Sequence, residues 1–508
     1  MTTPSSTRAT LARNTVASWL SYAAAIVIAL ALTPLVIRSV GPVGYGVWIL
    51  LSQLTGYAGL LDVGVQPAVA RFVADARARG DEDDRRSIIS TAIVLHGTIG
   101  LCVLAILAFV SLFVDRWFDL GGLPPAEIRA ALVIVALSAA IGFPASVLAA
   151  ILKGRLRFDL LSALTTATQV VRAAGILLSI GARAGIVGLA LASLASSVFG
   201  LCGAAWLASR GPEGLSIDLR AVSRDALRRL MSVGGYAFVG QTGWYVAYAT
   251  DAVLIGALLS VHDVASFGLA VNVLSILSGV AGAFAQTFMP LASAYHATGM
   301  GDSLRRSYLM GSRLSLAMVM PLALALLVEG PRLLSWWVGP EVGLPAGTLL
   351  RVLTLAHLPV IANGVASQMA LGAGLQKRSA LLSIGEGVSN LGLSFALARP
   401  MGVVGVAVGT LVPSWIFQGV VWPAWVGRGL GASLSRYWVE GLGPALIPVL
   451  PALATFALLE RTLRPSGTMG VLALLALQAV VYVLGATYTC LSPQDRALAW
   501  ASLRERVR

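Results

Sequence analysis

Charge is scarce in this chain. Only 12% of its 508 residues are Asp, Glu, Lys or Arg, where a water-soluble domain carries about a quarter. That shortage excludes a soluble globular protein. Cysteine is nearly absent. Cys102, Cys202 and Cys490 lie far apart, each within an apolar run, so they offer neither a disulfide framework nor a metal-ligand spacing. His96, His262, His296 and His357 are equally scattered, and no metal site is expected. No GxxxxGK[ST] motif occurs, which excludes ATP hydrolysis at a P-loop. Long loops are missing too: the largest on one side, 115–127 and 330–348, are too short to fold a catalytic domain. No catalytic residue and no cofactor are expected, and the chain reads as not being an enzyme.

What is present is apolar length. Hydrophobic residues make up 57% of the chain, and mean hydropathy is +0.83. A membrane-crossing helix needs about 20 mostly apolar residues. Fourteen such runs are legible, near 15–37, 45–70, 88–114, 128–152, 161–181, 185–208, 232–258, 265–290, 311–329, 349–373, 379–398, 402–426, 441–460 and 468–490. The first is too long for the apolar part of a signal peptide and reads as a retained span. The expected fold class is an all-α polytopic membrane protein of about fourteen transmembrane helices.

The positive charge tests this count. Net charge is +13. With the N-terminus in the cytoplasm, 26 Lys and Arg fall on the inner side, 9 on the outer side and one in mid-span. That asymmetry is the positive-inside pattern. It assigns the charge to orientation and anionic headgroups rather than to nucleic acid, and it places both termini in the cytoplasm. Trp117, Trp336 and Trp337 fall near the outer interface, Trp206 and Trp438 near the inner one, as amphipathic rings do.

The chain also repeats itself. Tyr45-Gly46 is echoed by Phe267-Gly268, Pro67 by Pro290, Gly80-Asp81 by Gly301-Asp302, and Arg85-Arg86 by Arg305-Arg306. RAGIVGLALASL at 183–194 is echoed by PMGVVGVAVGTL at 400–411. Spans 1–6 and 7–12 therefore read as two copies of one six-helix unit. Because six is even, the copies share an orientation, and a pseudo-two-fold axis along the membrane normal relates them. The expected divisions are 1–208, a linker at 209–231 acting as a hinge connection, 232–427, and 428–508 holding two extra spans and a tail. A cleft between the bundles, opened alternately to either side, follows from that plan.

Ionisable residues inside spans cost roughly 2.5–3.5 kcal/mol each at a helix centre, so they face a cavity or a partner. Arg172 lies midway along span 5, with Gln169 one turn away on the same face. Asp62 lies in span 2 and Arg71 nearer its inner end, where Arg71 can also reach the headgroups. Asp251 in span 7 and Glu386 in span 11, with Asn390 one turn on, suit either an ion site or a buried structural pair. His96 and His357 read as hydrogen-bonded core groups. Pro67, Pro144, Pro290, Pro321 and Pro359 read as kinks. Gln241, Asn272, Gln286, Asn363, Gln368 and Gln418 form a polar stripe that suits a hydrated cleft or interhelical hydrogen bonds. A cation at mid-depth points to an anionic cargo such as a lipid-linked diphosphate sugar.

The stretch from Gly41 to Asp81 carries a resemblance. Gly41, Pro42, Tyr45, Gly46 and Trp48, then Leu61, Asp62 and Gly64, then Arg71-Phe72-Val73-Ala74, then Gly80-Asp81 resemble the first two helices of the polysaccharide (Wzx-type) flippases. Those proteins belong to the multidrug/oligosaccharidyl-lipid/polysaccharide (MOP) exporter superfamily. The resemblance covers spans 1–12 and fades in spans 13 and 14. It implies a bacterial cytoplasmic-membrane flippase with a MATE-like fold and an undecaprenyl-diphosphate-linked oligosaccharide as cargo. It further implies coupling to H+ or Na+, and a glycan polymerase and chain-length regulator as partners. Arg172, Arg71, Asp62 and Gln169 are then the cavity candidates, and Asp251 and Glu386 the coupling candidates. A multidrug–cation antiporter would want an anionic cavity, against which Arg172 stands. A lipid II flippase differs in first-helix motif, and a glycan polymerase or ligase should show a long outer loop.

Overall fold

The computed structural model describes residues 4–62, 64–210, 214–215, 217–463, 467–494 and 496. They are overwhelmingly helical, with no strand among the described residues. Lipid offers no water to the backbone, so an apolar segment must satisfy its own N–H and C=O groups, and a helix does so. Eleven helical stretches are long and apolar enough to cross a membrane. Two of them, Trp19–Asp62 and Lys377–Gly427, hold two passes each, because Gly41 and Gly402 leave helical φ/ψ inside them. With Arg224–Tyr248 and Thr250–Leu258 as span 7, the described residues make fourteen passes. The fold is that of an all-α polytopic membrane protein.

Two spans differ from the unbroken runs that hydropathy gives. Span 2 tightens into a 3-10 helix at Tyr57–Asp62, passes Gly64 at φ 69°, and restarts as Val65–Arg79. Span 8 stops at Ala285 and restarts as Phe288–Ala297. Pro67 and Pro290 are each the third residue of the restarted helix. There a missing N–H costs nothing, since the first turn has no intrahelical acceptor to reach. Averaged hydropathy carries no information on φ and therefore misses both breaks. Pro144, Pro321 and Pro359 sit inside continuous helices.

The repeat is visible in backbone geometry. Gly185 (φ 57°) joins spans 5 and 6, and Gly402 (φ 61°) joins spans 11 and 12. Both hold a positive φ, which glycine adopts without the cost a Cβ brings. The fourth span of each copy also ends on a glycine against the second. A Cβ on Gly154 would stand 2.8 Å from the Ala70 carbonyl oxygen, and one on Gly372 would stand 2.5 Å from that of Met289.

Packing divides the chain into two compact units, Met1–Tyr245 with Ala249–Ala265, and Val246–Tyr248 with Ser266–Arg508. The linker, expected as a hinge connection, is fastened to the first unit. Arg155 donates from Nη1 to the Ala208 carbonyl (2.8 Å) and from Nη2 to that of Gly214 (3.0 Å). Asp218 and Ser223 donate backbone N–H groups to Ser90 and Thr91 hydroxyls, at 3.0 and 3.1 Å. Ser223 then caps span 7, its hydroxyl accepting from Ala226 N–H at 3.0 Å. Arg229 donates to Asp84 at 2.7 Å, and this carboxylate raises the Arg229 guanidinium above its ordinary value. Ala226 and Leu230 complete an apolar core with Val65, Val69, Ile88 and Ile151.

Candidate functional site

In the first unit, Arg172 stands past the midpoint of span 5, Phe158–Gly181. Its Nε is buried and finds no hydrogen-bond partner among the described residues. Gln169 is half-buried one turn earlier. The next residues along the helix, Val170 and Val171, line an apolar groove of about 760 Å³ with Leu20, Ala24 and Phe199. Thr166 donates to Ser21 across it at 2.9 Å.

Asp62 ends the 3-10 turn of span 2 and pairs with His96 of span 3, Oδ1 to Nε2 at 2.8 Å. His96 is fully buried against the Phe143 ring, while the Asp62 side chain is 26% exposed. The break in span 2 is what turns Asp62 toward span 3. Arg71 points elsewhere: it is exposed on the restarted helix, 3.8 Å from Asp75. Asp251 is buried in Thr250–Leu258 of the same unit. Beside it Tyr57 donates to Thr250 at 2.8 Å.

The second unit gathers its polar groups around Glu386, which is 3% exposed. Tyr248 of span 7 donates to Oε1 at 2.6 Å, and Gln418 of span 12 donates from Nε2 to Oε2 at 2.6 Å. Asn363 of span 10 donates from Nδ2 to Gln418 Oε1 at 3.2 Å and also bonds the Gln418 carbonyl. Tyr437 of span 13 donates to Asn363 Oδ1 at 2.9 Å. Gln418 lies in a π-helix, Trp415–Val421, and the widened turn leaves its carbonyl available to a side chain. Every donor in this chain points toward Glu386, the arrangement an ionised carboxylate calls for. Asn390 is buried one turn on, its Oδ1 without a partner among the described residues. His357 bonds the Leu353 carbonyl through Nδ1 at 2.9 Å and lies 5.5 Å from the Tyr248 ring.

The structure thus joins Glu386, Asn363 and Gln418, which sequence reasoning had placed separately, and pairs Asp62 with His96. Gln169 makes no hydrogen bond to Arg172. The Gln241 side chain lies outside the described residues. Tyr248 and Tyr437 were missed, because a tyrosine in an apolar run looks like a belt residue. Tyr248 carries a signal in its position, well inside span 7, whereas Tyr437 stands at the start of span 13 beside Trp438 and carries none.

Residues 11–296 match the family model described as polysaccharide biosynthesis protein, more than half of the chain. The chain belongs to the polysaccharide biosynthesis protein family. Among relatives of this family member is the uncharacterized membrane protein EpsK of Bacillus subtilis (strain 168), 22% identical over 81% of this chain and 82% of the relative. A putative O-antigen transporter of Shigella flexneri is 22% identical over 78% of this chain and 93% of its own length. Solved structures share the fold. The lipid II flippase MurJ in an inward closed conformation superposes with TM-score 0.73 at 13% identity, covering 94% of this chain and 98% of that one. An inward-facing MATE family transporter of the MOP superfamily gives 0.64 at 17%, covering 82% and 95%.

Proposed function

We propose that this protein flips an undecaprenyl-diphosphate-linked oligosaccharide from the inner to the outer leaflet of the bacterial cytoplasmic membrane, for surface polysaccharide synthesis. The observation that carries this reading is the family match, seconded by similarity to a putative O-antigen transporter over 93% of that relative. Arg172 supplies the chemistry. A guanidinium inside a span, with a buried Nε unpartnered among the described residues, suits a diphosphate bound by charge-assisted hydrogen bonds. Asp62 and Gln169 complete that cavity, and Arg71 meets the headgroups. The groove beside Val170 and Val171 accommodates an isoprenoid chain next to the span that holds Arg172.

Glu386 is the coupling carboxylate in this reading, with Asp251 as a second candidate. An ionised Glu386 accepts from both Tyr248 and Gln418. On taking up H+ at Oε2 it becomes a donor there, and the Gln418 amide turns to accept. That reversal propagates to Asn363 and Tyr437, so proton occupancy is felt across spans 7, 10, 11, 12 and 13. Na+ held by the same carboxylate would displace the Tyr248 hydroxyl with similar effect. A cycle of alternating access driven by H+ or Na+ follows, with both termini in the cytoplasm and a glycan polymerase and chain-length regulator acting downstream.

The test is complementation of a flippase-null strain, scored for surface polysaccharide with membrane abundance measured in parallel. The wild-type protein restores polysaccharide, and Arg172→Ala at equal abundance does not. Full export by Arg172→Ala removes the cavity assignment. Rescue of lipid II transport, or of cationic-drug efflux, in place of polysaccharide export overturns the cargo.

A further inference from the structure

The loops that follow spans 2 and 8 are copies of one another in sequence, yet their surroundings differ. In the first copy Arg85 is buried. It donates from Nε to Glu82 at 2.9 Å and from Nη1 to the Gly214 carbonyl at 3.5 Å. The linker closes over that loop and its charge is spent internally. The corresponding arginine of the second copy, Arg305, faces a cavity of about 660 Å³ lined also by Tyr295, His296, Asp302 and Arg428 and by the backbone at 429–431.

The cavity is cationic. Arg305 pairs with Asp302 at 3.2 Å, but the Asp302 side chain is 81% exposed, so water screens that pair. The Arg428 side chain makes no ion pair or hydrogen bond among the described residues, its carbonyl accepting from Gly431 N–H at 3.0 Å. Two guanidiniums and an imidazole thus face one screened carboxylate. The stem of Arg305 runs along Gly431, where a Cβ would stand 3.5 Å from Arg305 Cβ. Its head is thereby held toward the space that Arg428 borders. Paired arginine forks of this kind match the oxygens of a phosphate group.

The level of the cavity selects the carrier of that phosphate. Spans 8, 9 and 12 all end here, and one turn back along span 12 the Trp425 ring lies 5.9 Å from the Arg378 guanidinium. Indole beside guanidinium marks the headgroup layer. We infer that this cavity seats the phosphate of an anionic phospholipid from the leaflet on the linker side, the side charge asymmetry assigns to the cytoplasm.

The experiment uses the full-length protein in nanodiscs of phosphatidylcholine doped with phosphatidylglycerol, with bound lipid counted by native mass spectrometry and thermal stability read in parallel. Wild-type protein retains phosphatidylglycerol, and the double variant Arg305→Gln/Arg428→Gln binds it about tenfold more weakly, as loss of charged hydrogen bonds predicts. Arg399→Gln removes a charge at the far end of span 11 and should bind normally, and Arg428→Lys, which keeps the charge and loses the fork, should bind between wild type and the double variant. Equal binding by the double variant and Arg399→Gln overturns the site. Displacement of phosphatidylglycerol by inorganic phosphate or diphosphate at comparable concentration overturns the lipid as carrier. Binding is read without transport, so failure here leaves the flippase reading standing, and failure of complementation leaves this site standing.

Discussion

Spans 5 and 11 are the same element of the repeat with opposite charge. Gln169 and Glu386 each stand sixteen residues before a glycine of positive φ, Gly185 and Gly402. Three residues further on the first copy has Arg172 and the second has Ser389. At one level of one fold, one half offers a cation and the other an acid. The surroundings follow suit. The first unit leaves the Arg172 Nε unpartnered among the described residues and keeps Asp62 in a two-residue pair with His96. The second builds a network over five spans to hold Glu386. A duplicated scaffold has diverged in charge here: an arginine in one copy, a glutamate in the other.

The sharpest way to break this comparison is to exchange the charges. Glu386→Gln keeps the size and one acceptor but removes the titration. It should lower gradient-driven export on the order of tenfold or more, the scale of a coupling free energy between two sites, with membrane abundance unchanged. Export that still follows the applied gradient in this variant would return Glu386 to a structural role. The same substitution at the paired position, Gln169→Glu, should weaken export by setting an anion beside Arg172, read in the same complementation assay.

The glycines sharpen the comparison next. An added Cβ at Gly185 or Gly402 meets nothing within 4 Å, so only backbone strain opposes it. Gly185→Ala should cost about 1–2 kcal/mol. Gly402→Ala should cost somewhat more, about 1–3 kcal/mol, because φ 61° with ψ −147° lies where only glycine is at ease. Thermal unfolding in detergent reads both, and equal stability to wild type in either variant would show that the turn relaxes.

The linker gives the smallest effects. Ser87 and Ser223 hydroxyls are 3.1 Å apart, and a disulfide in S87C/S223C should form without loss of export, since the linker is already hydrogen-bonded to the first unit. Inhibition that reduction relieves would show that the linker must lift. The pH response is smaller still. Asp84 raises the folded Arg229 guanidinium above its ordinary value, so its contribution is fully present at and below neutral pH and is lost only in strong alkali. Hydrogen-exchange protection at residues 217–230, corrected for the intrinsic rate, should therefore be flat between about pH 5 and pH 9.

Much of this architecture was legible beforehand, because lipid imposes it. Apolar run length, arginine placement and the Gly-Val-Val-Gly echo led to fourteen passes and a duplicated unit. What stayed hidden depends on partners remote in sequence. Tyr248 and Glu386 are 138 residues apart, and no periodicity joins them. Asp62 was visible as an oddity, but its partner depended on a break at Gly64 that hydropathy averages away. Arg172 stands out in the sequence by depth alone, and the structure adds that its Nε is buried without a partner among the described residues.

One turn of span 12 carries a consequence of its own. The widened winding at Trp415–Val421 amounts to one residue more than an α-helix would use over the same rise. Shortening that turn by one residue after Gln418 would favour the α-helical ladder there, in which the Gln418 carbonyl is bonded along the helix rather than to Asn363. One residue of helix length thus decides whether the Gln418 carbonyl serves its own helix or a side chain of span 10.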